Sequence, residues 1–252
     1  NDSFELKDIF DCGQCFRWNI EADESYTGVI KNGVINIRKS GKNIIIKGIT
    51  DSKLEDVIYN YFDLKRDYKN IKKDFSKIDK YMKESTEFGE GIRILNQDLW
   101  ECIISFIISA NNNIPRIKKI IESISKKYGK KVVFENEDYY LFPTPEELSK
   151  ATVEDLRNLG LGFRDKRVFE TTRKILNKEI DLEKLMKIND SEKIKEELLK
   201  LDGVGPKVAD CIMLFSMQRY DVFPIDVWVR RVMNDLYIKC EKEEAVSKKE
   251  IL

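Results

Sequence analysis

Leu201-Asp202-Gly203-Val204-Gly205-Pro206-Lys207-Val208-Ala209-Asp210-Cys211 decides how this chain is read, because it sets two glycines, a proline and a lysine between two helical patterns. Gly203 and Gly205 allow positive φ and expose bare amides, and Pro206 suits the first position of the following helix. The start of such a helix is an anion site. A hairpin of this kind can hold a nucleic-acid phosphate through backbone N–H groups without reading sequence. Lys207 falls in the first turn, where the positive end of the helix dipole disfavours an ammonium. A lysine amine kept partly neutral is a nucleophile that can attack a sugar carbon and form a Schiff base, from which strand cleavage follows by elimination. The hairpin alone leaves a second reading open, in which Lys207 only contacts phosphate.

The next informative stretch toward the C-terminus is Phe223-Pro224-Ile225-Asp226-Val227-Trp228. Asp226 precedes an apolar helix and is a natural N-cap. The same carboxylate, if it faces Lys207, can stabilise positive charge developing on a sugar as its glycosidic bond breaks. Toward the N-terminus the pattern is helical back to about Gly89. Apolar residues recur at three and four, as in Ile103, Phe106, Ile107 and Ile117, Ile120, Ile121, Ile124. The spacing predicts helices over 100–109, 114–128, 144–151, 153–159, 164–176, 190–201, 206–217 and 227–237. Before Gly89 the signal changes. Val34, Ile35, Ile37 and Ile44, Ile45, Ile46 lie at strand spacing between turn pairs Asn32-Gly33 and Gly41-Lys42, which predicts antiparallel hairpins over 15–49. A helix follows over 51–62 with Ser52 as its expected cap, and a charged stretch from Lys65 to Lys83 reads as a connecting helix. The fold class is therefore α+β: a small N-terminal antiparallel sheet domain with its connector, 1–85, then a mainly helical domain, 86–252.

Composition narrows the function classes. The chain has 252 residues, 42% hydrophobic, with 45 basic and 45 acidic side chains, so its net field gives no argument for a polyanionic partner. Charge is local instead. Arg116, Lys118, Lys119, Lys126, Lys127, Lys130 and Lys131 face only Glu122 over 116–131, which suits either a phosphate-facing patch or a solvated helix face. No apolar run is long enough for a membrane span, and Asn1 to Leu6 lacks the features of a signal peptide, so a soluble intracellular protein is expected. The chain begins without Met and stops just after a polar run, so neither end is expected to be a natural terminus. Cys12-Gly13-Gln14-Cys15 has the spacing of half a zinc site, but no second pair accompanies it and the chain has no His. Neither a metal nor another cofactor is expected. Without His, acid-base or nucleophilic work falls to Lys, Asp, Glu, Cys or Tyr.

Residues 201 to 234 resemble the helix-hairpin-helix and Gly/Pro-Asp loop signature of DNA glycosylases, with the lysine that marks their lyase-competent branch. Three further segments resemble the 8-oxoguanine DNA glycosylases. Cys12-Gly13-Gln14-Cys15-Phe16-Arg17-Trp18 is similar to the segment whose glycine carbonyl accepts the N7 hydrogen of the oxidised base, which implies that role for Gly13. Ser109-Ala110-Asn111-Asn112-Asn113-Ile114-Pro115-Arg116 is similar to the segment that fills the space left by the flipped base. The match implies that role for Asn111 and recognition of the orphaned cytosine for Arg116. Gly160-Leu161-Gly162-Phe163-Arg164 makes Phe163 the implied wedge and Arg164 an implied second cytosine contact.

The resemblance also implies a base pocket lined by Gly13, Cys211, Pro224, Asp226 and Trp228, with Gly203 and Gly205 on the DNA backbone. Trp228 departs from the pattern, since animal members carry His there. The resemblance also implies a following helix that supplies groups which stack on the base, and these are not assigned in the 26 residues after Asp226. The implied activity is excision of 8-oxoguanine opposite cytosine from duplex DNA through a Lys207 Schiff base, by a monomer in the bacterial cytoplasm, with no membrane partner. Two other readings compete. An iron-sulfur glycosylase of the endonuclease III type requires four cysteines after the catalytic loop, where only Cys240 stands. A non-catalytic helix-hairpin-helix module that only clamps DNA has no need of Asp226 opposite its lysine.

Overall fold

A computed structural model describes residues 3–240 and 246–251 of the chain. A short helix, α1 (Leu6–Phe10), leads into β1 (Trp18–Ile20), β2 (Tyr26–Ile30), β3 (Gly33–Ser40) and β4 (Asn43–Thr50), an antiparallel sheet in the order β1-β2-β3-β4. The turn between β2 and β3 is Lys31-Asn32, one residue earlier than the spacing predicts, because Gly33 already pairs with Ile30. Val34 and Ile35 are both buried although they point to opposite faces, so the start of β3 is covered on both sides. α2 (Leu54–Tyr61) follows, but Ser52 does not cap it: Lys53 holds the cap position without a side-chain bond, and the Ser52 hydroxyl donates to Asp51.

The connector is two helices and not one, α3 (Tyr68–Phe75) and α4 (Lys80–Phe88). Asp67 and Asp79 each accept a main-chain N–H three residues on, at 3.0 and 2.8 Å, and each carboxylate starts a helix of its own. The core of this half is aromatic. Phe10 stacks on Trp18 with ring centroids 4.1 Å apart, and Tyr26, Phe62, Ile35 and Ile37 close around them.

The second half is built on α5 (Leu99–Ser109), where Ile103, Ile104, Ile107 and Ile108 are fully buried. α6 (Ile114–Tyr128) lays Ile117, Ile120, Ile121 and Ile124 on it, the predicted three-four stripe. A hairpin not anticipated from the sequence, β5 (Lys131–Phe134) and β6 (Glu137–Tyr140), turns through Glu135 and Asn136, both with positive φ. α7 (Pro145–Leu148) and α8 (Val153–Leu156) each open on a reciprocal capping box, Thr144 with Glu147 and Thr152 with Asp155. After a wide turn over 157–164 come α9 (Asp165–Leu176), α10 (Leu182–Met186), α11 (Ser191–Leu198), α12 (Pro206–Ser216), α13 (Val227–Met233) and α14 (Lys248–Ile251).

The halves interlock. Phe16 enters the helical core edge-on to Phe106 at 5.6 Å, and the buried Arg17 donates to the Tyr140 carbonyl at 2.5 Å. Among the described residues, no helix is long and apolar enough to cross a membrane.

Candidate active site and DNA-facing surface

The segment 201–207 is the turn between α11 and α12, and its two glycines are there for different reasons. Gly203 has φ +88°, and a Cβ there would lie 2.8 Å from the Arg167 side chain and 3.2 Å from Ile107, so the backbone is pressed against α9 and α5. At Gly205 a Cβ would meet nothing within 4 Å. The protein has no internal need of a glycine there; what the missing side chain leaves is clear access to the helix start. Asp, Asn or Thr side chains cap most helices of this chain, α5, α6, α11 and α13 among them. α12 begins at Gly205 with no side-chain cap, leaving first-turn N–H groups for an anion. The turn is held from below: Lys174 pairs with Asp202 at 2.7 Å, Thr171 donates to the Asp202 carbonyl, and Lys195 bridges to the buried Asp210.

Lys207 is half-buried on the first turn of α12, its ammonium 5.6 Å above the Phe106 ring. Cys211 lies one turn on, within hydrogen-bonding reach of the lysine. Burial pushes the Cys211 thiol up to about 11, with Lys207 pulling the other way and the charges of Asp210 and Asp226 adding to the rise. At neutral pH Cys211 is therefore a thiol. Asp226, half-buried, caps α13 by accepting the Val229 N–H at 2.9 Å. Lys207 and Asp226 both act electrostatically on the Cys211 thiol, although 18 residues lie between them in sequence. Pro224 is half-buried, whereas Trp228 is 69% exposed beside the Arg231 guanidinium.

The Cys12–Trp18 segment separates into frame and opening. The buried Gln14 side chain donates to the carbonyls of Ile9 and Arg93 at 2.9 and 2.8 Å and accepts from Leu95 N. Phe16, Arg17 and Trp18 are structural as well, Trp18 donating to the Tyr61 hydroxyl at 2.8 Å. Gly13, half-buried with φ +84°, has only Ile114 near a Cβ position, at 4.0 Å. The Cys12 and Cys15 thiols are free, and among the described residues no group of three or more Cys, Asp or Glu is placed to hold a metal.

The asparagine triplet divides its work. Asn112 donates to the Ile108 carbonyl at the end of α5, Asn113 caps α6 by accepting the Arg116 N–H, and Asn111 is left exposed with a left-handed φ of 50°. Arg116 is exposed and reaches the Gly160 carbonyl at 3.1 Å. Phe163, 54% exposed, lies under two guanidinium groups, Arg164 at 4.2 Å and Arg167 at 5.1 Å. Arg164 itself departs from expectation. It is 2% exposed, and its guanidinium donates to the carbonyls of Ala110, Asn111 and Leu161, so in this structure it is a strut that presents Asn111 and not a free base-reading group. The basic run over 116–131 is also partly neutralised. Lys118 donates to the Trp18 carbonyl, Lys127 pairs with Asp155 and Lys131 with Asp138.

Comparison with known proteins bears on this arrangement. Residues 104–251 match the HhH-GPD superfamily base excision DNA repair protein model, and residues 1–103 match the 8-oxoguanine DNA glycosylase N-terminal domain. The chain belongs to the HhH-GPD superfamily. A Saccharomyces cerevisiae N-glycosylase/DNA lyase is 33% identical over 90% of this chain and 66% of its own length. A probable N-glycosylase/DNA lyase of Methanothermobacter thermautotrophicus is 35% identical over 73% of this chain and 64% of its own. This chain thus spans about two thirds of these curated relatives. Among solved structures, the 8-oxoguanine glycosylase/lyase of Clostridium acetobutylicum, bound to DNA containing cytosine opposite 8-oxoG, is 48% identical with a TM-score of 0.93. The match covers 99% of this chain and 84% of that one.

Two residues that shape this HhH-GPD protein's site are not singled out by sequence reading. Phe106 is read there only as part of a core stripe, yet its face lies under Lys207. Arg93, fully buried, donates to the carbonyls of Phe62, Ser3 and Asp63 and fixes the extended segment on which Gln14 closes. No motif marks it, because its partners are main-chain atoms from distant parts of the chain.

Proposed function

We propose that this chain excises 8-oxoguanine opposite cytosine from duplex DNA and then cleaves the abasic strand. The observation that carries the reading is that Lys207 and Asp226 both act on the Cys211 thiol, on a helix whose uncapped start is open at Gly205. The hairpin amides hold a backbone phosphate, and Asn111 and Phe163 enter the gap left as the damaged nucleotide leaves the stack. Gly13 and Cys211 face the base, with Pro224 and Trp228 at the pocket's edge; Arg116 reads the unpaired cytosine, and Arg164 acts through the loop it holds.

In the reaction, the neutral Lys207 amine attacks C1′ and the C1′–N bond breaks, its electron pair leaving with the base. Asp226 stabilises the positive charge that builds on the sugar. The nitrogen passes one proton to the departing base; the C1′–O4′ bond then breaks, O4′ takes up a proton, and the Schiff base is formed. Removal of a C2′ proton then expels the 3′ phosphate, and water releases Lys207.

The clamp-only reading gives the Asp226 carboxylate no purpose beyond capping α13. A monomer acting in the cytoplasm fits, since the hairpin, the Asn111 loop and Asp226 all come from one chain. The test is release of free base from duplexes carrying 8-oxoguanine opposite each of the four bases, with plain guanine as control. Release that is greatest opposite cytosine and absent from guanine is expected. DNA binding without any base release would overturn the proposal.

A further inference from the structure

α13, the helix that Asp226 opens, has no buried residue, and Val227, Trp228 and Val232 are exposed on it. Packing beneath this helix therefore does little to fix the carboxylate. Besides the bonds that Arg219 and Asp221 make to Asn189 and Ser191 within the helical half, two anchors on either side in sequence reach into the N-terminal half.

Ahead of Asp226, the Tyr220 hydroxyl donates to the Asp63 carboxylate at 3.0 Å, and the Arg66 guanidinium lies 3.7 Å from the centre of the Tyr220 ring. Asp63 is a built acceptor: buried, with a left-handed φ of 47°, it also takes Arg66 at 2.8 Å and Tyr68 at 3.0 Å. Burial pushes the Tyr220 phenol up to about 12, so it remains a donor at any working pH. Beyond Asp226, the Tyr237 hydroxyl donates to Asp79 at 3.0 Å and its ring meets Tyr81 edge-on at 5.5 Å. Asp79 is itself the cap of α4.

We infer that Asp63 and Asp79, through Tyr220 and Tyr237, are positioning groups for Asp226: the N-terminal half is a two-point brace that aims the carboxylate at Lys207. The inference rests on the excision proposed above. Its energetic sense is that a multiply bonded carboxylate, buried at Asp63 and half-buried at Asp79, holds a tyrosine more rigidly than exposed packing can, and transition-state stabilisation is lost over displacements of about 1 Å.

The two steps of the reaction separate this role from general stability. Breaking the glycosidic bond builds positive charge that Asp226 must meet, whereas a preformed abasic site has no such bond left and needs only the Lys207 amine. The experiment compares the unaltered chain with Tyr220→Phe, Tyr237→Phe and the double variant in two single-turnover assays. One is base release from an 8-oxoguanine–cytosine duplex and the other is nicking of a preformed abasic duplex. The brace predicts that base release falls about tenfold or more in the double variant while nicking stays within about twofold. Base release that is unchanged, or release and nicking that fall together, would overturn it. An unaltered chain that nicks abasic DNA but releases no base would instead overturn the proposed function, and the brace with it.

Discussion

A methyl group added at Gly203 would meet Arg167 and Ile107 in a backbone conformation that side chains disfavour, whereas one added at Gly205 would meet nothing. Gly203→Ala should therefore cost roughly 1–3 kcal/mol of folding stability. Gly205→Ala should leave thermal unfolding unchanged and weaken DNA binding. Thermal melts paired with binding titrations check both; a Gly205→Ala protein that binds DNA as tightly as the unaltered chain contradicts the phosphate role. The pair is legible in the sequence as a hairpin, but which glycine serves folding and which serves access depends on Arg167 and Ile107, far from it in sequence. Asp226 shows the complementary case. Both of its readings, helix cap and charge near Lys207, coexist in the structure. Asp226→Asn keeps an acceptor for Val229 but removes the charge, so base release should fall by about two to three orders of magnitude with little change in melting temperature.

Between α5 and α6 the chain turns through three asparagines, of which two hold the turn and one is presented. Asn111→Ala should cost about 1 kcal/mol of stability, because Asn tolerates the left-handed φ of 50° better than Ala, and should reduce the preference for lesions opposite cytosine in base-release assays. Arg164→Lys should lower stability by about 2–4 kcal/mol, since a point charge cannot replace a fork that reaches three carbonyls. Equal melting temperatures for Arg164→Lys and the unaltered protein would contradict the strut. Helices with a clear stripe, such as α6, are legible in the sequence to the residue. The connector is not: its charge conceals two Asp caps that divide it into α3 and α4. β5 and β6 escape notice because the turn between them uses Glu135 and Asn136 without the usual glycine.

Across the whole molecule, burying polar groups where the halves meet has a pH signature. Glu101 on α5 is pushed up to about 7 by burial, with Arg17 pulling down and Asp98 adding to the rise. Between the ordinary carboxyl value of about 4.3 and 7, the folded protein holds a proton that the unfolded chain has released, so stability falls as pH rises through that window. Glu101→Gln should melt close to the unaltered protein at pH 5 and several degrees above it at pH 8. Parallel melting curves across that range would contradict the assignment. The α+β division is legible from hydrophobic periodicity alone, while the interlock through Phe16, Arg17 and Gln14 is not, since each bonds or packs against residues distant in sequence.

The central claim is that Lys207 is the nucleophile for an oxidised guanine. The most direct test treats the protein with borohydride in the presence of a duplex carrying one 8-oxoguanine opposite cytosine. A covalent protein–DNA band that requires the lesion and disappears in Lys207→Gln is the predicted result. A band that survives in Lys207→Gln, or no band at all from the unaltered chain, would contradict it.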